Sequence, residues 1–83
     1  MTDKWSYTQS VIDLLKQAAH CEEMIATGVR RLGGSTPQQV RRQSYRSALD
    51  DCNAALKLTT LSDSDREWFE SKKADCENKL AQT

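Results

Sequence analysis

The sequence predicts an all-α protein, an antiparallel up-down-up bundle of three helices. Three helix-start signals, at residues 6–9, 36–39 and 64–67, each pair a hydroxyl side chain with a Gln or Glu three residues later. In such a capping box the hydroxyl accepts a backbone N–H of the first turn, and the later side chain accepts the N–H of the cap residue. Each box precedes an amphipathic stripe, and the links between stripes are short. Consecutive helices must therefore run antiparallel to bury the three stripes together.

The first helix is predicted over residues 7–32. Its apolar positions recur at steps of three and four residues, which is typical of a one-sided amphipathic helix. These positions are Val11, Leu14, Leu15, Ala18, Cys21, Ile25 and Leu32. Gly33 and Gly34 follow, and glycine readily adopts the left-handed conformation that closes a helix. We therefore expect the helix to end near Leu32, with Gly28 inside it at a cost of about 1 kcal/mol relative to Ala.

The second and third helices are predicted over residues 37–60 and 65–81. Pro37 favours the second start, because proline at the first helical position already has a helical φ and loses no hydrogen bond. The predicted inner face of the second helix comprises Val40, Tyr45, Ala48, Leu49, Cys52, Ala55, Leu56 and Thr59. The third helix has a narrower stripe of Phe69, Cys76 and Leu80, with Ala74 nearby. The sequence thus predicts one domain of three helices, over residues 1–83.

Size, charge and residue types limit the classes of function. A chain of 83 residues, of which 37% are hydrophobic, has a thin core, and its formal net charge of +0 argues against a nucleic-acid partner. A helix-turn-helix DNA reader is also disfavoured, because its recognition helix would exceed 20 residues. The single histidine, His20, has no evident nucleophile beside it, and no Gly-rich phosphate loop is present. We therefore expect no catalysis and no cofactor.

The sequence also predicts a cytoplasmic protein, with a nuclear setting as the alternative. No apolar run approaches the roughly 20 residues of a membrane-spanning helix, and the first residues lack the apolar stretch of a signal peptide. The three cysteines, Cys21, Cys52 and Cys76, are odd in number and far apart. This pattern fits a reducing compartment and fits neither a disulfide scaffold nor a zinc site. We expect the cysteines to be small apolar fillers of the core, with no bound metal.

Residues 45–58, YRSALDDCNAALKL, follow the tyrosine, alanine and alanine-leucine rhythm of tetratricopeptide helices, but no 34-residue recurrence predicts an array. The same segment resembles the second helix of MIT (microtubule-interacting and trafficking) domains. Residues 11–18 resemble the first MIT helix, and residues 62–65 resemble the link to the third. The resemblance implies a peripheral role at endosomal membranes, with C-terminal tails of ESCRT machinery subunits as partners. Such a tail would lie in a groove that the third helix shares with the first or the second.

The N-terminal three-helix domains of SNARE proteins are similar in layout, including a first-helix end like Arg31-Leu32-Gly33, so a SNARE-type regulatory bundle is an alternative.

Our leading interpretation is a noncatalytic interaction module that binds a helical or extended peptide in an interhelical groove. Trp68 and Phe69 are adjacent on a helix and point about 100° apart, so both can hardly be buried. A partly exposed Trp is typical of binding hot spots. The predicted partner-binding residues are Trp68, Lys72, Leu56 and Thr59.

A cluster of positive charge provides a second candidate site. Between Met24 and Leu49 the sequence has no acidic residue and five arginines: Arg30, Arg31, Arg41, Arg42 and Arg46. In an antiparallel bundle the end of the first helix and the start of the second share one pole. Cations near the C-terminal end of a helix interact favourably with the helix dipole. Arg41 and Arg42, in contrast, lie near the start of a helix, which already bears partial positive charge. The five arginines therefore predict an alternative site for an acidic peptide, a lipid headgroup or a nucleic-acid phosphate.

Overall fold

The computed structural model describes residues 4–28 and 34–82 and confirms the predicted fold class. Three α-helices follow one another along the chain: α1 (Lys4–Ala26), α2 (Pro37–Leu56) and α3 (Asp63–Ala81). Ser10 of α1 donates a hydrogen bond to Asp51 near the end of α2, so these helices run antiparallel. Lys4 at the start of α1 pairs with Asp65 at the start of α3. The bundle is therefore up-down-up, and its Cα atoms extend over 43 × 26 × 14 Å.

The start of α2 follows the predicted capping box. The Thr36 hydroxyl accepts the backbone N–H of Gln39 at 3.2 Å, and the Gln39 side chain accepts the N–H of Thr36 at 3.1 Å. Pro37 occupies the first turn and is buried. The reciprocal pair satisfies two backbone donors that have no partner within the helix. This start signal is confirmed in position and in geometry.

The other two starts differ from the predicted ones. α3 begins two residues early, because Ser62, and not Ser64, is the N-cap: its hydroxyl accepts the N–H of Asp65 at 3.2 Å. α1 already begins at Lys4, so the predicted box at Ser6 lies inside the helix. The Nζ of Lys4 lies 2.7 Å from a carboxylate oxygen of Asp65, and this ion pair holds the first turn of α1 against α3. A tertiary contact therefore extends α1 beyond its local start signal.

The prediction that the first helix ends near Leu32 is wrong, because α1 ends at Ala26. The hydroxyl of Thr27 donates to two carbonyls of the last turn, both at 3.1 Å. Gly28 then has φ +86°, in the left-handed region that favours glycine. Gly28, and not the predicted pair at residues 33–34, therefore closes the helix. The predicted end at Leu32 lies outside the described residues.

The second helix is also shorter than predicted. α2 ends at Leu56, and the N–H groups of Lys57 and Leu58 donate to carbonyls three residues earlier, at 3.2 and 3.0 Å. These bonds tighten the last turn before the chain leaves the helix. Thr59, which was expected on the inner face, is exposed in the link to α3. The predicted end at residue 60 is thus wrong by one helical turn.

The core consists of two clusters of buried side chains, and each contains residues from all three helices. The first cluster comprises Val11, Cys52, Ala55 and Phe69, and the second comprises Ala18, Tyr45, Ala48 and Cys76. Every member belongs to a predicted inner face. Ala74, predicted to lie near the α3 stripe, is exposed. The helical periodicity therefore predicted the buried face of each helix, including the small residues on α2.

The three helices are not equally close to one another. Cα atoms of α2 approach those of both neighbours within 8 Å, whereas within the described ranges no Cα of α1 lies that close to a Cα of α3. Ala48, Cys52 and Ala55 are fully buried on α2, and such small side chains allow a close backbone approach. α1 and α3 meet only through longer side chains. A groove therefore remains between them.

Candidate functional site

The space between α1 and α3, which we name the α1–α3 groove, consists of two adjoining cavities that share Trp68. Their volumes are about 350 and 420 Å³. The α1 wall comprises Lys4, Trp5, Thr8, Ile12, Leu15, Lys16 and Ala19. The α3 wall comprises Ser64, Asp65, Trp68, Phe69 and Lys72. The groove thus has an apolar floor with polar residues along its edges, as binding clefts usually do.

Trp68 is the central side chain of the groove. It is half-buried, and its ring stands edge-on to Phe69 with the centroids 5.0 Å apart and the planes at 90°. Phe69 is only 1% exposed, so the core fixes the ring against which Trp68 packs. The Nζ of Lys72 lies 5.6 Å from the centre of the Trp68 ring, a cation–π contact. The α3 backbone therefore presents a preorganised aromatic surface toward α1.

The α1 side of the groove carries apolar side chains that the core does not use. Trp5 is 71% exposed, with the Nζ of Lys4 5.7 Å from its ring centre. Ile12 is partly exposed and packs against neither core cluster, and Ala19 is exposed. These three residues are seven positions apart, so they follow one line along the helix. We name Trp5, Ile12 and Ala19 the outer seam of α1.

Charge is distributed unevenly along the groove. At one end the Lys4 side chain binds Asp65, and this hydrogen bond is the main cause that lowers the pKa of the Asp65 carboxyl. Lys16 and Lys72 line the middle, and neither forms an ion pair with a described residue. Lys16 is exposed on α1, and Lys72 is half-buried on α3. The middle of the groove is therefore positively charged on both walls.

The structure unites only part of the predicted partner-binding set. Trp68 and Lys72 line the α1–α3 groove together. Leu56 packs against the first core cluster, and Thr59 is exposed beyond the end of α2, so neither lines the groove. The outer seam of α1 was not among the predicted site residues. Its seven-residue spacing is visible in the sequence and was the signal that could have identified it.

The predicted arginine site is also only partly assembled. Arg30 and Arg31 lie outside the described residues. Arg41 and Arg42 line a cleft of about 730 Å³ where α1 ends, α2 starts and α3 ends, whereas Arg46 is exposed elsewhere on α2. We name this site the pole cleft; it is lined by Glu22, Ile25, Gln38, Gln39, Arg41, Arg42, Lys79 and Gln82. The local concentration of cations on α2 thus becomes a concave site shared by three helices.

Arg41 has a structural partner that the sequence did not reveal. Its Nε donates to Glu22 of α1 at 3.1 Å, and its guanidinium lies 5.1 Å from the centre of the Tyr45 ring. The Arg41 side chain is only 13% exposed. The absence of acidic residues between Met24 and Leu49 therefore does not leave Arg41 unpaired, because Glu22 reaches it from the neighbouring helix. Arg42 stays exposed at the rim.

Glu22 connects all three helices at this pole. The Tyr45 hydroxyl of α2 donates to the same carboxylate oxygen as Arg41, and Lys79 of α3 lies 3.8 Å from it. The bond from Tyr45 is the main cause that lowers the pKa of Glu22. Burial, followed by the bond to Glu22, raises the pKa of Tyr45 to about 12. The network therefore keeps a carboxylate ionised and a phenol neutral.

The three cysteines are buried and free. Burial raises the pKa of each thiol, for Cys52 to about 12, so the thiolate forms with difficulty. In the part of the chain that the structure describes, no group of three or more His, Cys, Asp or Glu residues could hold a metal ion. Across residues 4–28 and 34–82, no helix combines the length and the apolar character needed to cross a membrane.

Comparison with known proteins identifies no relative of the chain. No protein-family model matches the chain, and neither a curated protein nor a solved structure matches it. The functional interpretation therefore depends on the geometry of the two concave sites, the α1–α3 groove and the pole cleft.

Proposed function

We propose that the protein is a noncatalytic protein–protein interaction module that binds a peptide segment of a partner in the α1–α3 groove. One observation carries the proposal: Trp68 is held by the core on one side and open to the groove on the other. Such a rigid, half-buried aromatic ring can bury a large apolar area at a small entropic cost when a partner covers it. Trp68 therefore has the properties of a binding anchor.

The surroundings of Trp68 support the same function. Trp5 and Ile12 add exposed apolar surface beside it, and large apolar side chains in a concave position are typical of interaction sites. Because α1 and α3 approach only through side chains in the described ranges, a peptide can enter without separating packed backbones. A bound partner would also bury additional apolar surface, and this burial would stabilise a small domain whose own core is thin.

The resemblance of residues 11–18 and 45–58 to MIT domains supports a role in membrane trafficking, with tails of ESCRT machinery subunits as the proposed partners. The resemblance alone leaves open whether the third helix shares the peptide-binding groove with the first helix or with the second. We choose the first, because Trp68 and Lys72 line a cavity together with four residues of α1 and none of α2. The SNARE-type alternative loses support, since its similarity included a first-helix end at Leu32 and α1 ends at Ala26.

The pole cleft supports a second candidate function, the binding of an anionic group. Arg41 and Arg42 of α2 and Lys79 of α3 line it, and Glu22 is the one carboxylate among its lining residues. An acidic peptide, a lipid headgroup or a phosphate would meet an excess of positive charge there. Because such binding is mainly electrostatic, its affinity would fall steeply with added salt.

Selection from a displayed library of random 16-residue peptides tests the two candidates. If the groove is the site, Trp68→Ala should weaken the selected peptides more than about fivefold, because loss of an aromatic anchor costs over about 1 kcal/mol. The matched variant at the pole cleft, Arg42→Glu, should change affinity less than about twofold. Reversal of this order, together with steep salt dependence, would favour the pole cleft. Circular dichroism of each variant confirms that it stays folded.

A further inference from the structure

We infer that the pole cleft binds a phosphate monoester of a polyol, and that Arg41 is the side chain that contacts the phosphate group. This inference names the ligand class of the second candidate function and so rests on it, and it does not depend on peptide binding in the α1–α3 groove. Three features of the cleft support it: the fixed orientation of one guanidinium group, the charge of the lining, and the space beside that charge.

The Arg41 guanidinium is held on two sides. Its Nε donates to Glu22 of α1 at 3.1 Å, and its central carbon lies 5.1 Å from the centre of the Tyr45 ring. The two terminal nitrogens, Nη1 and Nη2, form no hydrogen bond with any residue that the structure describes. A planar fork of this kind matches the oxygens of a phosphate group, and a fork that is already held loses little side-chain entropy on binding.

The charge of the lining matches a doubly negative ligand. The lining contains three cations and one carboxylate: Arg41, Arg42, Lys79 and Glu22. The Nζ of Lys79 lies 3.8 Å from the same Glu22 oxygen that Arg41 contacts, so cations of two helices surround one point. A phosphate monoester has a charge of about −2 at neutral pH, whereas a carboxylate or a phosphodiester has a single charge. The monoester therefore neutralises the excess of positive charge more completely.

The rest of the cleft suits a polar organic group attached to the phosphate. The volume of about 730 Å³ is within the range of small-molecule sites and exceeds the needs of a phosphate group alone. Gln38, Gln39 and Gln82 bring side-chain amides to the lining, and Ile25 adds an apolar surface. Amides both donate and accept hydrogen bonds, as hydroxyl groups do. The expected ligand is therefore a phosphorylated polyol, either free in solution or as the headgroup of a lipid.

Titration with glycerol phosphate, followed in a two-dimensional ¹⁵N–¹H NMR spectrum, tests the ligand class. The control is malonate, which is also doubly charged at neutral pH but carries two carboxylates. We expect glycerol phosphate to shift the backbone signals of Gln38 and Arg42, and malonate to bind at least fivefold more weakly at the same ionic strength. Equal affinity for malonate would overturn the phosphate and leave a general anion site. If neither anion shifts these signals, the second candidate function fails as well, while peptide binding in the α1–α3 groove stands.

Vesicles distinguish the two sources of the ester. Phosphatidic acid exposes a phosphate monoester and phosphatidylglycerol a diester, so we compare phosphatidylcholine vesicles that contain one or the other at equal surface charge. At least fivefold stronger cosedimentation with phosphatidic acid, competed by glycerol phosphate, would support a lipid headgroup. Binding of glycerol phosphate without a preference between the vesicles would support a free ester. Equal binding to both vesicles, without binding of glycerol phosphate, would overturn the inference.

Substitutions test the role of Arg41. Arg41→Lys keeps the charge but removes the planar fork, so glycerol phosphate should bind more than about fivefold more weakly. The control, Arg46→Lys, lies exposed on the same helix outside the cleft and should change affinity less than about twofold. Unchanged affinity in a folded Arg41→Lys variant would overturn the contact with Arg41.

A second variant keeps the test decisive if Arg41→Lys does not fold. Arg42→Gln with Lys79→Gln removes two cations of the cleft and leaves the bonds of Arg41 to Glu22 and of Tyr45 to Glu22 in place. Glycerol phosphate should bind this variant more than about tenfold more weakly, because most of the excess positive charge is lost. Trp68→Ala should leave the affinity unchanged, since Trp68 lines the α1–α3 groove. Unchanged affinity in the double variant would place the anion elsewhere and overturn the inference.

Discussion

Two lines of apolar residues along helix α1 share the same seven-residue spacing, and one of them is covered while the other is not. Val11 and Ala18 form the inner seam and are both 0% exposed against α2 and α3. Trp5, Ile12 and Ala19 form the outer seam, and Trp5 is 71% exposed. The comparison shows that periodicity aligns residues along a helix but does not determine which lines the same chain will cover.

The neighbouring helices explain the difference. α2 presents Ala48, Cys52 and Ala55, whose small side chains let its backbone approach α1 closely. α3 presents Trp68 and Lys72 toward the outer seam, and these larger side chains hold the two backbones apart. The inner seam therefore stabilises the packing of α1 in the bundle. The outer seam keeps its apolar surface uncovered, and the proposed partner would cover it.

The largest expected effect separates two adjacent residues of α1. Val11→Asp should abolish cooperative unfolding, because an unpaired charge in the core costs several kcal/mol, comparable to the whole stability of a small domain. Ile12→Asp should keep the helical spectrum and a cooperative thermal transition, since Ile12 packs against neither core cluster. Thermal denaturation followed by circular dichroism measures both. Loss of folding in both variants would show that the outer seam belongs to the core.

A second adjacent pair tests the packing density at the two seams. Ala18→Leu should lower the free energy of unfolding by about 1–3 kcal/mol, because added methylene groups in a filled core force neighbours apart. Ala19→Leu should change it by less than about 0.5 kcal/mol, because that position is exposed. Urea denaturation of the two variants gives the values. Equal losses at both positions would contradict the distinction between the seams.

A smaller effect is expected just beyond the C-terminal end of α1. Gly28→Ala should destabilise the fold by about 1–2 kcal/mol, because alanine is strained at φ +86° even though no atom lies within 4 Å of the added methyl group. The control is Gly34→Ala, where the methyl group also meets open space and no such φ is present. That variant should be neutral or slightly stabilising. Equal behaviour in urea denaturation would show that Gly28 does not terminate α1.

The smallest expected effect concerns Glu22, which joins α1 to both neighbours. The fold holds its pKa below the usual value of 4.5, so ionised Glu22 contributes stability above about pH 5, and this contribution is lost as the pH falls through the lowered pKa. The melting temperature of the wild type should therefore fall below about pH 5. Glu22→Gln should fall less over the same range, and Glu23→Gln, an exposed neighbour, should follow the wild type. Identical curves for all three proteins would contradict the role of Glu22.

Much of the fold could be predicted from the sequence, because it depends on local signals. The Thr36 box and the buried faces of all three helices follow from residue spacing alone. The predicted end of the first helix was wrong. Glycines at residues 28 and 33–34 could each close the helix, and only the backbone conformation decides between them. The start of α3 was wrong because Ser62 and Ser64 are both plausible caps.

The candidate site was harder to predict, because it depends on contacts between helices. The position of Trp68 beside Phe69 in the sequence predicts its partial exposure, and the structure places Trp68 in the groove together with Lys72. Leu56 and Thr59 were predicted beside them, but Leu56 packs against the core and Thr59 lies beyond the end of α2. The pairing of Arg41 with Glu22 involves residues on different helices, and no local pattern announces it.

The most direct test of the central claim uses the two tryptophans of the sequence, since Trp5 and Trp68 both line the α1–α3 groove. Each gives one indole N–H signal in a two-dimensional ¹⁵N–¹H NMR spectrum. On titration with a selected 16-residue peptide, both signals should shift and give the same Kd, while the backbone signals of Gln38 and Arg42 at the pole cleft stay in place. If both indole signals stay unmoved while those of the pole cleft shift with binding, the outer seam of α1 is not the partner surface.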